Sequence, residues 1–306
     1  MNLIKKLSLL TALVAVMFAF NACEEDTVTP TVDTPSAPIA LEATSINSTT
    51  VHIKWKDASD INKTMVTDYT VTYYPSNTNA TDAPTLSATE SGVAFPIPDL
   101  DSTREYTFEV VTNYDNGESS TASMIKWAPA LRFEKVAAQT IKLYTSNVIG
   151  KGSGIKLETF ESVDGIYIPE VLTTDNISKW NLGIYTSKAM DTLMFGSASV
   201  LNYKNASTAT ESAEVSDAVP GTSLNDVFDS QALDNKNYSQ DRHLLTNTTS
   251  SVVVYVRTTN AANEVHYAKV FLKNVNGSFI QGQSGDTYVE VEISYQLNAG
   301  FPYAKK

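Results

Sequence analysis

A chain of 306 residues with 34 acidic and 22 basic side chains carries a formal net charge of −12, and it holds a single cysteine. That balance speaks against nucleic acid and anionic lipid surfaces as partners, because their phosphates repel it. One thiol leaves no disulfide framework and no cysteine-ligated zinc site, so the fold must rest on buried apolar surface.

At the N-terminus, Lys5 and Lys6 precede an apolar run, Leu7 to Phe20 (LSLLTALVAVMFAF). The run falls short of the roughly 20 apolar residues of a membrane-spanning helix and reads as a signal peptide over residues 1–22. Ala22 precedes the lone Cys23, and Glu24, Glu25 and Asp26 follow. This arrangement resembles a bacterial lipoprotein signal, in which cleavage leaves a cysteine that carries a diacylglyceryl group. The family usually has Leu where Phe20 stands. The acidic tract resembles the signal that sends lipoproteins of Bacteroidota to the cell surface. The resemblance implies lipidation at Cys23, an export signal at Glu24, Glu25 and Asp26, and an outer-membrane, lipid-anchored body exposed at the cell surface. Several acyl chains, at about 0.8 kcal/mol per buried methylene, anchor such a chain without a transmembrane helix. Loss of Lys5 and Lys6 with the leader leaves 20 basic residues against 34 acidic, a net charge of −14. Residues 23–35 run into a Thr/Pro-rich stretch and read as an extended tether.

From residue 36 to 129 the pattern has a period of two. Val51, Ile53 and Trp55 alternate with polar residues, as do Tyr69, Val71 and Tyr73, and then Tyr106, Phe108 and Val110. Turn-rich segments separate these runs, and short strands at this spacing predict a β-sandwich. Pro35, Pro38, Trp55, Tyr73 and the run from Leu100 to Tyr106, followed by Asn113, Gly117, Glu118 and Ser119, resemble a fibronectin type III domain. The Leu100–Tyr106 spacing resembles a tyrosine corner, in which a buried ring bonds nearby backbone through its hydroxyl. Asp101 and Ser102 stand where the family has Pro-Gly. The resemblance implies a spacer or binding module, with Trp55 and Tyr106 in the core.

Residues 130–306 predict a second β-rich domain, so the fold class is all-β. Thr287 to Gln296 alternates Val289, Val291, Ile293 and Tyr295 against Glu290, Glu292 and Ser294. Ser251 to Thr258 and His266 to Val275 predict two more strands. Leu224 to Asp234 (LNDVFDSQALD) is the best helix candidate, with Leu224, Val227 and Phe228 inward. Ser207 to Gly221 reads as a polar loop. Tyr255-Val256-Arg257-Thr258, then Tyr267-Ala268-Lys269-Val270, then Ser294-Tyr295-Gln296 resemble the tail of the HmuY family of haem-capturing surface lipoproteins. Trp180-Asn181-Leu182-Gly183 resembles another strand of that family. Its Arg-Tyr segment after the tryptophan is replaced by Ile184-Tyr185-Thr186-Ser187. The resemblance implies haem as a candidate cofactor, with His243 as the candidate ligand; His266, Met190 and Met194 are the other donors in the domain.

Other chemistry is sparse. Gly150 to Gly154 (GKGSG) lacks the ending of a phosphate loop and reads as a turn. Glu290 and Glu292 read as the solvated side of a strand rather than an acid/base pair. No catalytic constellation and no metal-binding spacing stand out, and the chain reads as a non-enzyme. The leading expectation is a surface lipoprotein whose fibronectin-like stalk presents a C-terminal ligand-binding domain, with Trp180 and Tyr185 as candidate stacking faces. The extracellular partner is a small molecule, a glycan or an envelope protein. The alternatives are haem capture and a structural envelope spacer.

Overall fold

The computed structural model describes residues 33–133, 139–164, 166–187, 192–201, 203, 212–230, 233–239, 243–245 and 250–303. Among them the alternating runs become strands, because a period of two puts every second side chain on one face. The first sandwich contains β1 (Ile39–Asn47), β2 (Thr50–Lys56), β3 (Val66–Pro75), β4 (Thr85–Ala88), β5 (Phe95–Ile97), β6 (Tyr106–Tyr114) and β7 (Ser123–Trp127). One sheet has the order β1-β2-β5 and the other β4-β3-β6-β7. Trp55 and Phe108 are fully buried between them. The Tyr106 hydroxyl accepts the Asp101 backbone N–H at 3.0 Å, which closes the predicted tyrosine corner without the usual Pro-Gly.

The second part contains β8 (Leu131–Phe133), β9 (Ile141–Tyr144), β10 (Gly154–Val163), β11 (Ile166–Leu172), β12 (Leu182–Thr186), β13 (Leu193–Ser197), β14 (Ser212–Val215), β15 (Val219–Pro220), β16 (His243–Leu244), β17 (Val252–Thr259), β18 (Val265–Leu272) and β19 (Tyr288–Tyr295). They form one sheet with the path β14-β17-β18-β19-β8-β11-β10-β12-β13-β16, with β15 on β17 and β9 on β19. Its two halves share a core. Ile155, Leu182, Ile184 and Phe195 from one half pack with Val254, Val270, Val291 and Ile293 from the other.

A second apolar layer covers the back of β17 and β18. Val253, Tyr255, Tyr267 and Phe271 pack there against Leu224, Val227 and Leu233. Both faces of β17 are therefore buried, which is why its sequence reads as an unbroken VVVYV. The covering segment corrects two sequence expectations. Leu224 to Asp234 is not a helix but two short 3-10 turns, Leu224–Asp226 and Leu233–Asn235. Between them Asp229 exchanges backbone hydrogen bonds with Ala43 of β1, at 2.9 and 3.0 Å, and that bridge holds the chain extended. The supposed polar loop supplies β14 and β15, because Ala213 and Val215 alternate inward.

Asp229 also carries the charge that closes this layer. Lys269, on the back of β18, is fully buried, and its Nζ lies 2.9 Å from Asp229 Oδ2. It also donates to the Val227 carbonyl at 2.7 Å. Asp229 Oδ1 accepts from Lys236 Nζ at 2.8 Å and from the Tyr255 hydroxyl at 2.7 Å. Burial alone would raise the Asp229 carboxyl, but the Lys269 and Lys236 ammonium groups outweigh it and hold it below the usual carboxylate range. Burial pushes the Lys269 amine down, against the pull of Asp229.

The C-terminal tail returns to the first sandwich. Tyr303 joins that sandwich's core, its ring 5.3 Å from Trp127. Gln296 Nε2 donates to the Pro129 carbonyl at 3.0 Å, and Asn298 Nδ2 to the Ser102 carbonyl at 2.7 Å. Both sandwiches belong to one compact unit, Pro35–Lys306.

Trp180 lies in a smaller core with Leu172, Ile177, Ala198 and Leu201, and it is fully buried. Gly154 and Gly183 face each other across β10 and β12 and form its floor. A Cβ at Gly154 would meet the indole at 1.9 Å, and one at Gly183 at 2.8 Å. Tyr203 stands edge-on to Trp180 at 5.4 Å. The expectation that Trp180 offers a stacking face to a ligand is therefore corrected: its ring has no exposed surface.

Two stability results are expected. Asp229→Asn leaves Lys269 buried without its counter-charge and lowers stability by about 3–5 kcal/mol; Lys269→Met costs less, because Lys236 still neutralises Asp229. The Asp229 contribution is complete above the ordinary carboxylate value of about 3.9 and is lost as pH falls through the lowered folded value. The stability gap between wild type and Asp229→Asn should thus close below about pH 4 in urea titrations of the full chain. Gly154→Ala, read in the same titrations, should lose about 1–3 kcal/mol by overpacking the indole.

Candidate ligand-binding cleft

One place in the second sheet does not close. β8 and β9 lie along the same edge of β19, pairing with Ile293–Tyr295 and with Tyr288–Val291 respectively. β11 runs parallel to β8 and pairs with it at Tyr167↔Phe133. Beyond that point β11 continues past β9 with no ladder between them among the described residues. Proline has no backbone N–H to give to a ladder, and Pro169 sits at the centre of this stretch. The strands part around an apolar cleft of about 250 Å³, lined by Ile141, Lys142, Tyr144, Ile168, Pro169 and Val171.

The strand on the other side of β11 is irregular as well. The register of β10 jumps from Lys156↔Glu170 to Phe160↔Pro169, so that Leu157, Glu158 and Thr159 bulge. A second hollow of about 430 Å³ opens there and shares Ile168 and Pro169 with the first. The buried Asn181 holds the bulge, its Oδ1 accepting the Leu157 backbone N–H at 2.6 Å. Asn181 is thus a structural plug.

The rim of the cleft is aromatic and cationic. Tyr144 and Tyr288 meet edge-on at 5.9 Å. Lys142 Nζ lies 3.9 Å above the Tyr288 ring and Lys151 Nζ 5.3 Å above the Tyr144 ring. Its hydrogen bond with Tyr288 is the main reason that Lys142 is held above the usual lysine range. The loop between β9 and β10 turns at Gly150, whose φ of +76° suits glycine, and it leaves Ile149 98% exposed beside Lys151. Such a site can take an apolar body and pair an anionic group with the rim. It brings no nucleophile to a base, and no group of three His, Cys, Asp or Glu able to hold a metal occurs among the described residues.

The residues singled out in the sequence lie elsewhere. Tyr185 is half-buried and stands edge-on to Tyr203 at 5.2 Å, outside the cleft lining. Tyr203 donates to the Ile184 carbonyl at 2.7 Å, and burial pushes its hydroxyl up to about 12. The backbone of His243 pairs with Phe195 in β13; its side chain lies outside the described residues. His266 is buried, stacked 5.7 Å from the Tyr295 ring, with Nδ1 3.4 Å from the Gln296 carbonyl. Met194 packs on the Trp180 core. Met190, Cys23, Glu24, Glu25 and Asp26 lie outside the described residues. Glu290 and Glu292 pair with Lys273 at 2.7 Å and Arg132 at 2.6 Å. Reasoning from the sequence missed Tyr144, Lys142 and Tyr288. The available signal was Pro169 within the otherwise strand-like IYIPEVL.

Comparison with known proteins identifies the first sandwich. The fibronectin type III domain model matches residues 36–126. Among solved structures, the fn3 domain of the human collagen alpha-1(XX) chain is 20% identical over 33% of this chain and 92% of its own, with a TM-score of 0.28. The FN5 domain of Drosophila Lar is 20% identical over 31% of this chain and 97% of its own, with a TM-score of 0.24. No curated protein matches the chain. Residues 36–126, with the Trp55 core and the closed Tyr106 corner, are a fibronectin type III domain.

Proposed function

We propose that the chain is a non-enzymatic binding protein of the bacterial outer membrane, held at the cell surface by a lipid on Cys23. The cleft between β9 and β11 captures a small extracellular molecule with an apolar body and an anionic group. The observation that carries this reading is the parting of two neighbouring strands at Pro169, which leaves apolar walls open beneath a Tyr/Lys rim. Apolar walls with a few fixed polar groups are the usual make-up of a ligand site. The lysines add electrostatic attraction that an otherwise acidic chain lacks. The fibronectin type III domain supports a binding or structural role rather than catalysis.

The test uses the full mature chain and the dye anilinonaphthalene sulfonate, which joins aromatic rings to an anion. Saturable fluorescence enhancement is expected. Val171→Glu, at a partly exposed position of the wall, should weaken it at least about tenfold while the melting temperature is retained. Unsaturable dye uptake, or an unchanged affinity in Val171→Glu, would overturn the cleft as the site. Haem serves as the second probe. A Soret band lost in His243→Ala would move the site to β16 and favour haem capture instead.

A further inference from the structure

A separate hollow of about 310 Å³ lies where the C-terminal tail crosses the fibronectin domain, lined by Asn77, Thr103, Arg104, Glu105, Lys126 and Phe301. We propose that it binds a neutral sugar ring as one unit of an oligosaccharide. The inference goes beyond the β9/β11 cleft and does not depend on it.

Among the described residues lining the hollow Phe301 is the aromatic one, and the chain on both sides fixes it. Asn298, held on the Ser102 carbonyl, accepts the Phe301 backbone N–H at 3.2 Å. The Pro302 carbonyl accepts the Leu233 N–H at 2.7 Å, and Tyr303 is seated on Trp127. The polar wall is set from behind as well. Arg104 Nε lies 3.3 Å from Asp101 Oδ2, and Asp101 Oδ1 takes the Thr103 N–H at 2.9 Å and hydroxyl at 2.7 Å. Glu105 lies 3.5 Å from Lys126 Nζ and hydrogen-bonds the Tyr303 hydroxyl. The Phe301 backbone and the Thr103 hydroxyl, held in place before binding, lose little freedom when a ligand arrives.

The chemistry of this wall selects the class of ligand. A purely apolar molecule would strip water from Arg104, Glu105 and Lys126 without replacing their hydrogen bonds. An anion would gain from Arg104 and Lys126 but meet Glu105 in the wall itself and Asp101 beside Arg104. A sugar has an apolar C–H face to lay on the Phe301 ring. Its hydroxyls both donate and accept, which suits an amide, a hydroxyl, a guanidinium, a carboxylate and an ammonium around one hollow.

Calorimetric titration of the full mature chain with neutral oligosaccharides of glucose, galactose, mannose and xylose tests the site. Sulfated and uronic-acid oligosaccharides run alongside. Saturable binding of a neutral oligosaccharide is expected, weakened at least about tenfold in the double variant Asn77→Ala/Arg104→Ala. Both side chains are exposed, so folding is not at stake. Val171→Glu should leave this binding unchanged, which separates the hollow from the β9/β11 cleft. Absence of binding across the neutral panel, or equal affinity in the double variant, overturns the proposal. Preference for the sulfated or uronic-acid compounds overturns the neutral class.

Discussion

The buried carboxylate of Asp229 ties the structure together. Its backbone bridges to Ala43 in the fibronectin domain, and its side chain answers Lys269 and Lys236 and accepts the Tyr255 hydroxyl. Desolvating a lysine on the back of β18 costs several kcal/mol, and a well-placed carboxylate offsets that only if its other lone pairs are also used. Here they are. The ion pair fixes where residues 224–230 and 233–236 lie, and they bury the back of β17 and β18 under Leu224, Val227 and Leu233. Hydrophobic residues of similar shape would cover a sheet equally well. The carboxylate adds a demand for one register, because a slip of one residue would leave Lys269 buried and unpaired.

The same segment couples the two sandwiches. Phe228 sits under the Lys54 ammonium of β2 at 4.3 Å, one residue before the backbone bridge. The tail then returns from β19 and places Tyr303 in the fibronectin core. The chain between the sandwiches is short, since β7 ends at Trp127 and β8 begins at Leu131. Contacts on both sides of that connection leave it little to do as a hinge. A fibronectin domain whose core is completed by the far end of the chain does more than act as a spacer, and it helps to build the hollow at Phe301.

Much of this was legible in the sequence. A period of two is a strong signal, so β2, β3, β6 and β19 could be placed from alternation, β17 and β18 from their apolar runs, and the spacing from Leu100 to Tyr106 foretold the corner. Residues 224–234 misled because apolar positions three and four apart fit a helix, while the partner that holds Asp229 extended lies far away in β1. Ala213 and Val215 gave too short an alternation to stand out from a polar stretch. Trp180 carried the opposite lesson. An aromatic residue reads as a stacking face, yet Gly154 and Gly183 leave room for the indole to be buried on them. Neither the cleft nor the hollow has a motif. Each is made by segments distant in sequence, Lys142 with Pro169 and Tyr288, or Arg104 with Phe301.

Pro169 shows how such a site can arise without a motif. A strand with every donor present would have continued its ladder from Phe133 onto β9, since unpaired backbone groups at a half-buried edge are costly. Proline removes one donor and fixes φ, so pairing loses both a bond and a geometry at that point. The cleft opens on the β9 side, and β10 bulges on the other. Asn181 satisfies the Leu157 N–H in that bulge. The opening is therefore not a packing failure that apolar side chains could fill by relaxing. It is a backbone mismatch, stitched at one edge and left apolar at the other, and an apolar edge beneath a Tyr/Lys rim is a surface that gains by being covered.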